Sequence, residues 1–332
     1  MITSASVGSA MYSYHLGIEK GKSEKNHLCL AIRSRIINFA LFKFKIFMFL
    51  IGRRQISEEN GYYADFFKSV RDSMEKKCPK CGHDAFYWHK CRQQYQCKAC
   101  AFRFSVTRGT VMDHTRLPIR TWFKAMQFMV FSDKIVTFSD IMTNLDFPEY
   151  VTVRGMVMKI RTVMGMSDTH LMEEIQEVGS GLKKICTDIG SSIYRSGGKA
   201  PYVYAYVGTR CLTDEELSLI EQQDNASKDE ALELNDLKFI KFIVSYKKED
   251  SGFVNGNERP DWVTEAVESC KDSFGTRFRD IDPDKLQLYL DEFTYKYNRE
   301  SLQDCIMDML VHDSCLYPLN LKSDDLGRAS SK

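Results

Sequence analysis

This chain of 332 residues lacks an uninterrupted apolar run long enough to cross a bilayer. The nearest approach is Ile37 to Gly52, INFALFKFKIFMFLIG, which Lys43 and Lys45 interrupt. It is shorter than the roughly 18–20 residues a span needs. It also lies too far from the first residue for an ordinary signal peptide. No internal repeat and no long low-complexity tract is present, which excludes solenoid and fibrous architectures. Eleven cysteines in a chain of this length do not make a disulfide scaffold. Cys29, Cys186, Cys211, Cys270, Cys305 and Cys315 are scattered, which points to a reducing, intracellular compartment.

Net charge is nearly absent, at +1, but the balance is uneven along the chain. Residues 1–165 carry 26 Lys and Arg against 13 Asp and Glu, a balance of +13; residues 166–332 carry 20 against 32, a balance of −12. A basic front half is the footprint of a polyanion binder. The acidic rear half would repel DNA unless its carboxylates hold metal ions. Hydrophobic content of 43% and aromatic content of 12% allow two or three packed domains.

Cys78-Pro79-Lys80-Cys81 and Cys97-Lys98-Ala99-Cys100 stand fifteen residues apart, the spacing of a four-cysteine zinc site. Zn²⁺ takes four soft ligands in a tetrahedron, and two facing turns supply two thiolates each. Such a site is structural and folds a segment too small to hold a core alone. Cys91, His83 and His89 lie close enough in sequence to be alternative ligands. Phe86-Tyr87-Trp88 and Tyr95-Gln96 between the motifs are β-prone, and Phe102, Phe104 and Val106 alternate before a turn at Gly109.

The chain divides by pattern into a poorly ordered leader over 1–55, a short helix over 56–75, a zinc ribbon over 76–115 and helices over 116–168. Pro118 suits a helix first turn, and Trp122, Met126 and Met129 recur at helical spacing. A break at Phe147-Pro148-Glu149 precedes a second helix over about 149–164. Helix, short break and helix with Arg154, Lys159 and Arg161 is a helix-turn-helix pattern, whose second helix would enter the major groove. Residues 76–165 carry 15 basic and 6 acidic side chains, so Lys98, Arg103 and Arg108 join those three as candidate phosphate contacts. Behind them, 185–188, 202–207 and Lys238 to Tyr246 read as strands, and 260–274 and 283–299 as helices. Leu286, Tyr289, Leu290 and Phe293 share one face of the last helix, which predicts packing against the sheet. A mixed α/β domain over 169–318 and a frayed tail over 319–332 complete the chain.

Four segments together resemble the bacterial insertion-sequence transposases with an N-terminal zinc ribbon and a DDE catalytic domain, the ISXO-like group. They are CPKCG…YQCKACAFRFSVTRGTVMDHTRLPIRTWFKAM, the helix ending in KIRTVMG, the 197–201 segment GGKAP with the strand YVYAYV, and FGTRFRDIDPDKLQLYLDEFTYKYNRE. The resemblance covers roughly residues 60–300. It implies a multidomain α+β protein: zinc ribbon, helix-turn-helix, then a ribonuclease-H-like α/β domain of full or reduced length. Three carboxylates there would hold Mg²⁺ for DNA cleavage and strand transfer.

Carried over residue by residue, the first acid is Asp188, the second Asp229 with Asp224 and Asp236 as rivals, and the third Glu265. The chain departs from the family at Asp188-Ile189-Gly190-Ser191, where a Glu ordinarily follows the Asp, and at the polar run EQQDNASK, where a hydrophobic strand is usual. The resemblance therefore leaves two readings: an active transposase, and a catalytically inactive DNA-binding remnant or regulator. Either implies DNA as partner, a homo-oligomer on it, no membrane, and a cytoplasmic, nucleoid-associated location.

Overall fold

Alternating residues between the two Cys-x2-Cys motifs and just beyond the second build a three-stranded antiparallel sheet of β1 (Phe86–His89), β2 (Gln94–Cys97) and β3 (Arg103–Ser105). This computed structural model describes residues 61–145, 149–177, 181–194, 200–221, 237–248, 260–275, 277–278 and 281–317. The leader, the stretch 37–52, Asp224, Asp229, Asp236 and the tail lie outside the described residues. One sheet face carries Phe86, Tyr95 and Phe104, whose rings meet at 5.4–5.9 Å. That face packs with Phe67 of helix α1 (Gly61–Ser73).

Three helices follow: α2 (Ile119–Val130), α3 (Phe138–Leu145) and α4 (Tyr150–Glu177). Pro118 caps α2, and Trp122, Met126 and Met129 are buried as their spacing predicts. The helix expected to stop near residue 164 continues to Glu177, so the boundary expected between 168 and 169 falls inside α4. Gly165 is a packing notch here instead of a stop. A methyl at that position would collide with the Asp291 carboxylate, and Lys241 Nζ donates to the Gly165 carbonyl at 2.7 Å. Beyond it, Leu171 and Ile175 bury against Phe239, which rewards the extra turns.

The second sheet is an antiparallel meander, β4 (Lys183–Thr187), β5 (Tyr202–Arg210) and β6 (Leu237–Ser245), in that order. Short α5 (Ile189–Ile193) follows β4, and α6 (Asp214–Glu221) follows β5. Helices α7 (Asp261–Phe274), α8 (Leu286–Asn298) and α9 (Ile306–Leu316) complete the described chain. Leu286, Tyr289, Leu290 and Phe293 join Ile240 and Phe242 of β6 in one core, as the spacing predicts.

A second core joins the first sheet to α1, α2, α4 and α9, and Tyr295 of α8 enters it. Helix α8 thus presents apolar residues to both cores and carries buried polar ones as well. Helix α9 supplies Ile306, Leu310 and Val311 to this second core. The described residues form a mixed α+β fold with two small sheets. Among the described residues no helix is long and apolar enough to cross a membrane.

Candidate functional site

Two matching turns bring the cysteines together. In the first, the Cys78 amide donates to the His83 carbonyl at 2.8 Å and Gly82 N to Cys78 O at 2.9 Å. In the second, the Cys97 amide donates to Phe102 O at 2.9 Å and Ala101 N to Cys97 O at 3.0 Å. Each turn leaves its closing residue left-handed, Gly82 at φ 73° and Ala101 at φ 56°. A bond from Lys98 N to Ala85 O, 3.0 Å, ties the turns to each other.

The four sulfurs lie within 4.8 Å of one another, with Cys78 to Cys100 at 3.6 Å and Cys81 to Cys97 at 3.5 Å. A tetrahedral zinc with bonds of about 2.3 Å sets its sulfurs about 3.8 Å apart. The donor set fits: four thiols, all positions filled, none left open for substrate. The site can therefore hold one structural zinc ion. Neither Cys91, His83 nor His89 belongs to the cluster; His89 Nε2 instead pairs with Gln96 Oε1 at 2.7 Å. Burial raises the Cys78 thiol, but the amides of Lys80 and Cys81 together with hydrogen bonds to the Cys81 and Cys100 thiols outweigh it and bring it to about 7.

The candidate DNA contacts divide by exposure. Lys98, Arg103 and Arg108 are exposed on the cysteine-bearing module. Lys98 Nζ lies 5.1 Å from the centre of the exposed Tyr87 ring. Arg103 Nε donates to Gln96 Oε1 at 3.0 Å, and Arg108 lies 3.6 Å from Asp113. Arg154 and Lys159 are half-buried on α4, and burial lowers the Lys159 ammonium.

Arg161 corrects the expectation of a surface contact. Its side chain is fully buried, pairs with the equally buried Glu292 at 2.8 Å, and donates to the Val136 carbonyl at 2.6 Å. Its guanidinium carbon sits 3.9 Å from the Tyr289 ring centre. The reason is helical phase: Val153, Val157, Ile160 and Met164 all face core, and Arg161 lies among them.

The rear carboxylates do not converge among the described residues, where the four cysteines form the only group suited to a metal ion. Asp188 directly follows β4 with its carboxylate 63% exposed, and Lys271 Nζ of α7 donates to it at 2.6 Å. Glu265 is exposed on α7, six residues and about 9 Å along the helix axis from Lys271. Asp229 lies outside the described residues, so the predicted triad is seen only at these two members.

The chain matches no family model, no curated protein and no solved structure. Its function therefore rests on the chemistry of its own residues.

The polar side of α8 escaped the sequence reading. Gln287 Nε2 donates to Phe242 O at 2.8 Å, Asn298 Nδ2 to Ile240 O at 3.0 Å, and Arg299 Nη1 to Asp168 at 2.7 Å. These bonds tie α8 and the residue after it to β6 and α4. Lys271 carries one local signal in the sequence, its spacing three residues after Glu268.

Proposed function

We propose that the protein binds DNA through a zinc ribbon and a helix-turn-helix, in the manner of the insertion-sequence transposases it resembles. The observation that carries the reading is the four-thiol cluster bearing Lys98, Arg103 and Arg108 on the exposed surface of the same module. Helices α3 and α4 would form the helix-turn-helix. The start of α4 supports this, because Tyr150 and Val151 are 50% and 74% exposed, with Arg154 one turn on. Recognition helices read bases from their first turns. An exposed Val can meet a thymine methyl.

The test is fluorescence anisotropy of zinc-loaded protein on duplex DNA across a salt series. Lys98→Glu and Arg103→Glu should weaken binding and flatten the salt slope by about one unit per lost phosphate contact. Association that ignores salt, or none at all, would remove the reading.

For the rear half the same resemblance supports DDE chemistry, with Asp188, Asp229 and Glu265 holding Mg²⁺ in a ribonuclease-H-like domain. Bound there, Mg²⁺ would supply Lewis-acid stabilisation to an in-line phosphoryl transfer. This chain's part would be to hold the ion and align the attacking oxygen. Strand transfer that survives Asp188→Ala would sink this assignment. A homo-oligomer on DNA and a nucleoid-associated cytoplasmic location belong to the same proposal.

A second reading, a non-cutting DNA-binding remnant or regulator, is favoured by one specific contact: the Asp188 carboxylate is bound by the Lys271 ammonium. The two readings share the DNA-binding front and differ only in what the rear carboxylates do.

A further inference from the structure

Lys271 Nζ donates to two carboxylates at once, Asp188 Oδ2 at 2.6 Å and Glu268 Oε1 at 2.8 Å. The lysine side chain is 15% exposed, while the two acids are 63% and 61% exposed. The cation is thus the covered member of the cluster, and both of its acids reach solvent. Its position is set by the fold. Helix α7 is anchored by buried Val263, Ala266, Val267, Cys270 and Phe274, and Ile189, next to Asp188, enters the same core. A methyl at Gly190 would collide with the Pro201 carbonyl oxygen, so the turn carrying Asp188 is packed tightly against β5.

Divalent cations that use carboxylates need such oxygens about 2.1 Å away for Mg²⁺, and they tolerate no neighbouring positive charge without loss of affinity. An ammonium seated between both acids satisfies each and repels a second cation.

We infer that Lys271 is the resident cation of this strand end: its ammonium occupies the place between Asp188 and Glu268 that a divalent ion would need. Asp188 in this chain is therefore an ion-pair anchor and not a Mg²⁺ ligand. The inference rests on the transposase-derived reading of the rear half and decides it for the second, non-cutting alternative, against Mg²⁺ on Asp188. It is independent of DNA binding by the front half.

The experiment is calorimetric titration of the full, zinc-loaded chain with Mn²⁺ as the probe. The wild type should show no Mn²⁺ binding that depends on Asp188. Lys271→Gln should gain a site at least about tenfold tighter than any wild-type binding, a change of about 1.4 kcal/mol. Adding Asp188→Asn to Lys271→Gln should abolish it, and Lys271→Arg, which keeps the charge, should stay silent. Zinc content and circular dichroism confirm that each variant folds. Mn²⁺ binding by the wild type that Asp188→Asn removes overturns the inference, and that arm needs no Lys271 variant to fold. A folded Lys271→Gln with no new site overturns it too. Anisotropy on duplex DNA, run on the same wild-type sample, reports separately on the DNA-binding reading.

Discussion

Arg161 Nε donates to Glu292 Oε2 across 2.8 Å, with both side chains at zero exposure. The pair joins α4 to α8 where the two cores meet, and Glu292 Oε1 also accepts from the Val136 amide at 2.9 Å. A residue that reads in sequence as one of three cations on a DNA-facing helix is therefore a strut. Its charge is matched inside the protein and is not available to a phosphate.

Removing one partner of a buried ion pair strands the other charge in a low-dielectric interior. Glu292→Ala should cost about 3–5 kcal/mol in denaturant unfolding. The double variant Arg161→Met with Glu292→Leu should lose clearly less than the two single losses added together, since neither member of the pair then faces an unmatched partner and only Lys296, 3.4 Å from Glu292, loses a carboxylate. Additive losses would show that the pair is not coupled.

The zinc reading makes a stoichiometric claim. Purified protein should carry one zinc ion per chain, and a strong chelator should release it together with four titratable thiols. The loss of zinc should disorder the β1-β2-β3 module, because its two turns are held by the cysteines. Cys97→Ser should lose the ion, while Cys91→Ser should keep it, since Cys91 lies outside the cluster.

Gly190 is required by close backbone approach, since a Cβ there meets the Pro201 carbonyl oxygen. Gly190→Ala should destabilise by about 1–3 kcal/mol, the usual cost of overpacking, measured by thermal or denaturant unfolding. A neutral result would mean that the β5 entry can move aside.

Acid should weaken one named contact. Burial alone would raise Glu216, but Arg210, whose Nη2 donates to Glu216 Oε1 at 2.8 Å, outweighs it and holds the carboxyl below its ordinary 4.5. A carboxyl held down in the folded state adds stability above that ordinary value and loses it as pH falls through the folded value. Glu216→Gln should therefore cost about 2 kcal/mol at neutral pH. The gap to wild type should close on acidification below 4.5, the ordinary carboxyl value. A gap that persists in acid would assign the loss to packing instead.

Periodicity exposed most of the elements. The cysteine turns, the alternating strands and the helices around Trp122 and Phe293 all carry short-range patterns, and all are present. Helix α4 ran past its expected end because Gly165, a breaker by local propensity, is matched to the Asp291 side chain more than a hundred residues away. Helix α9 shows helical spacing at Ile306, Met309 and Leu310, but its burial depends on partners far off in the chain.

The sequence by itself determined the candidate zinc site. Two Cys-x2-Cys turns bring their own ligands and need only a short hairpin to meet, so local spacing suffices. It also determined the basic front and acidic rear, since charge balance is a property of composition. Only the tertiary structure decided which charges are spent inside. Arg161 is matched by Glu292 and Asp188 by Lys271, each pair joining residues more than eighty positions apart. Such pairings follow from which helix faces meet across a core, and no one-dimensional pattern records that.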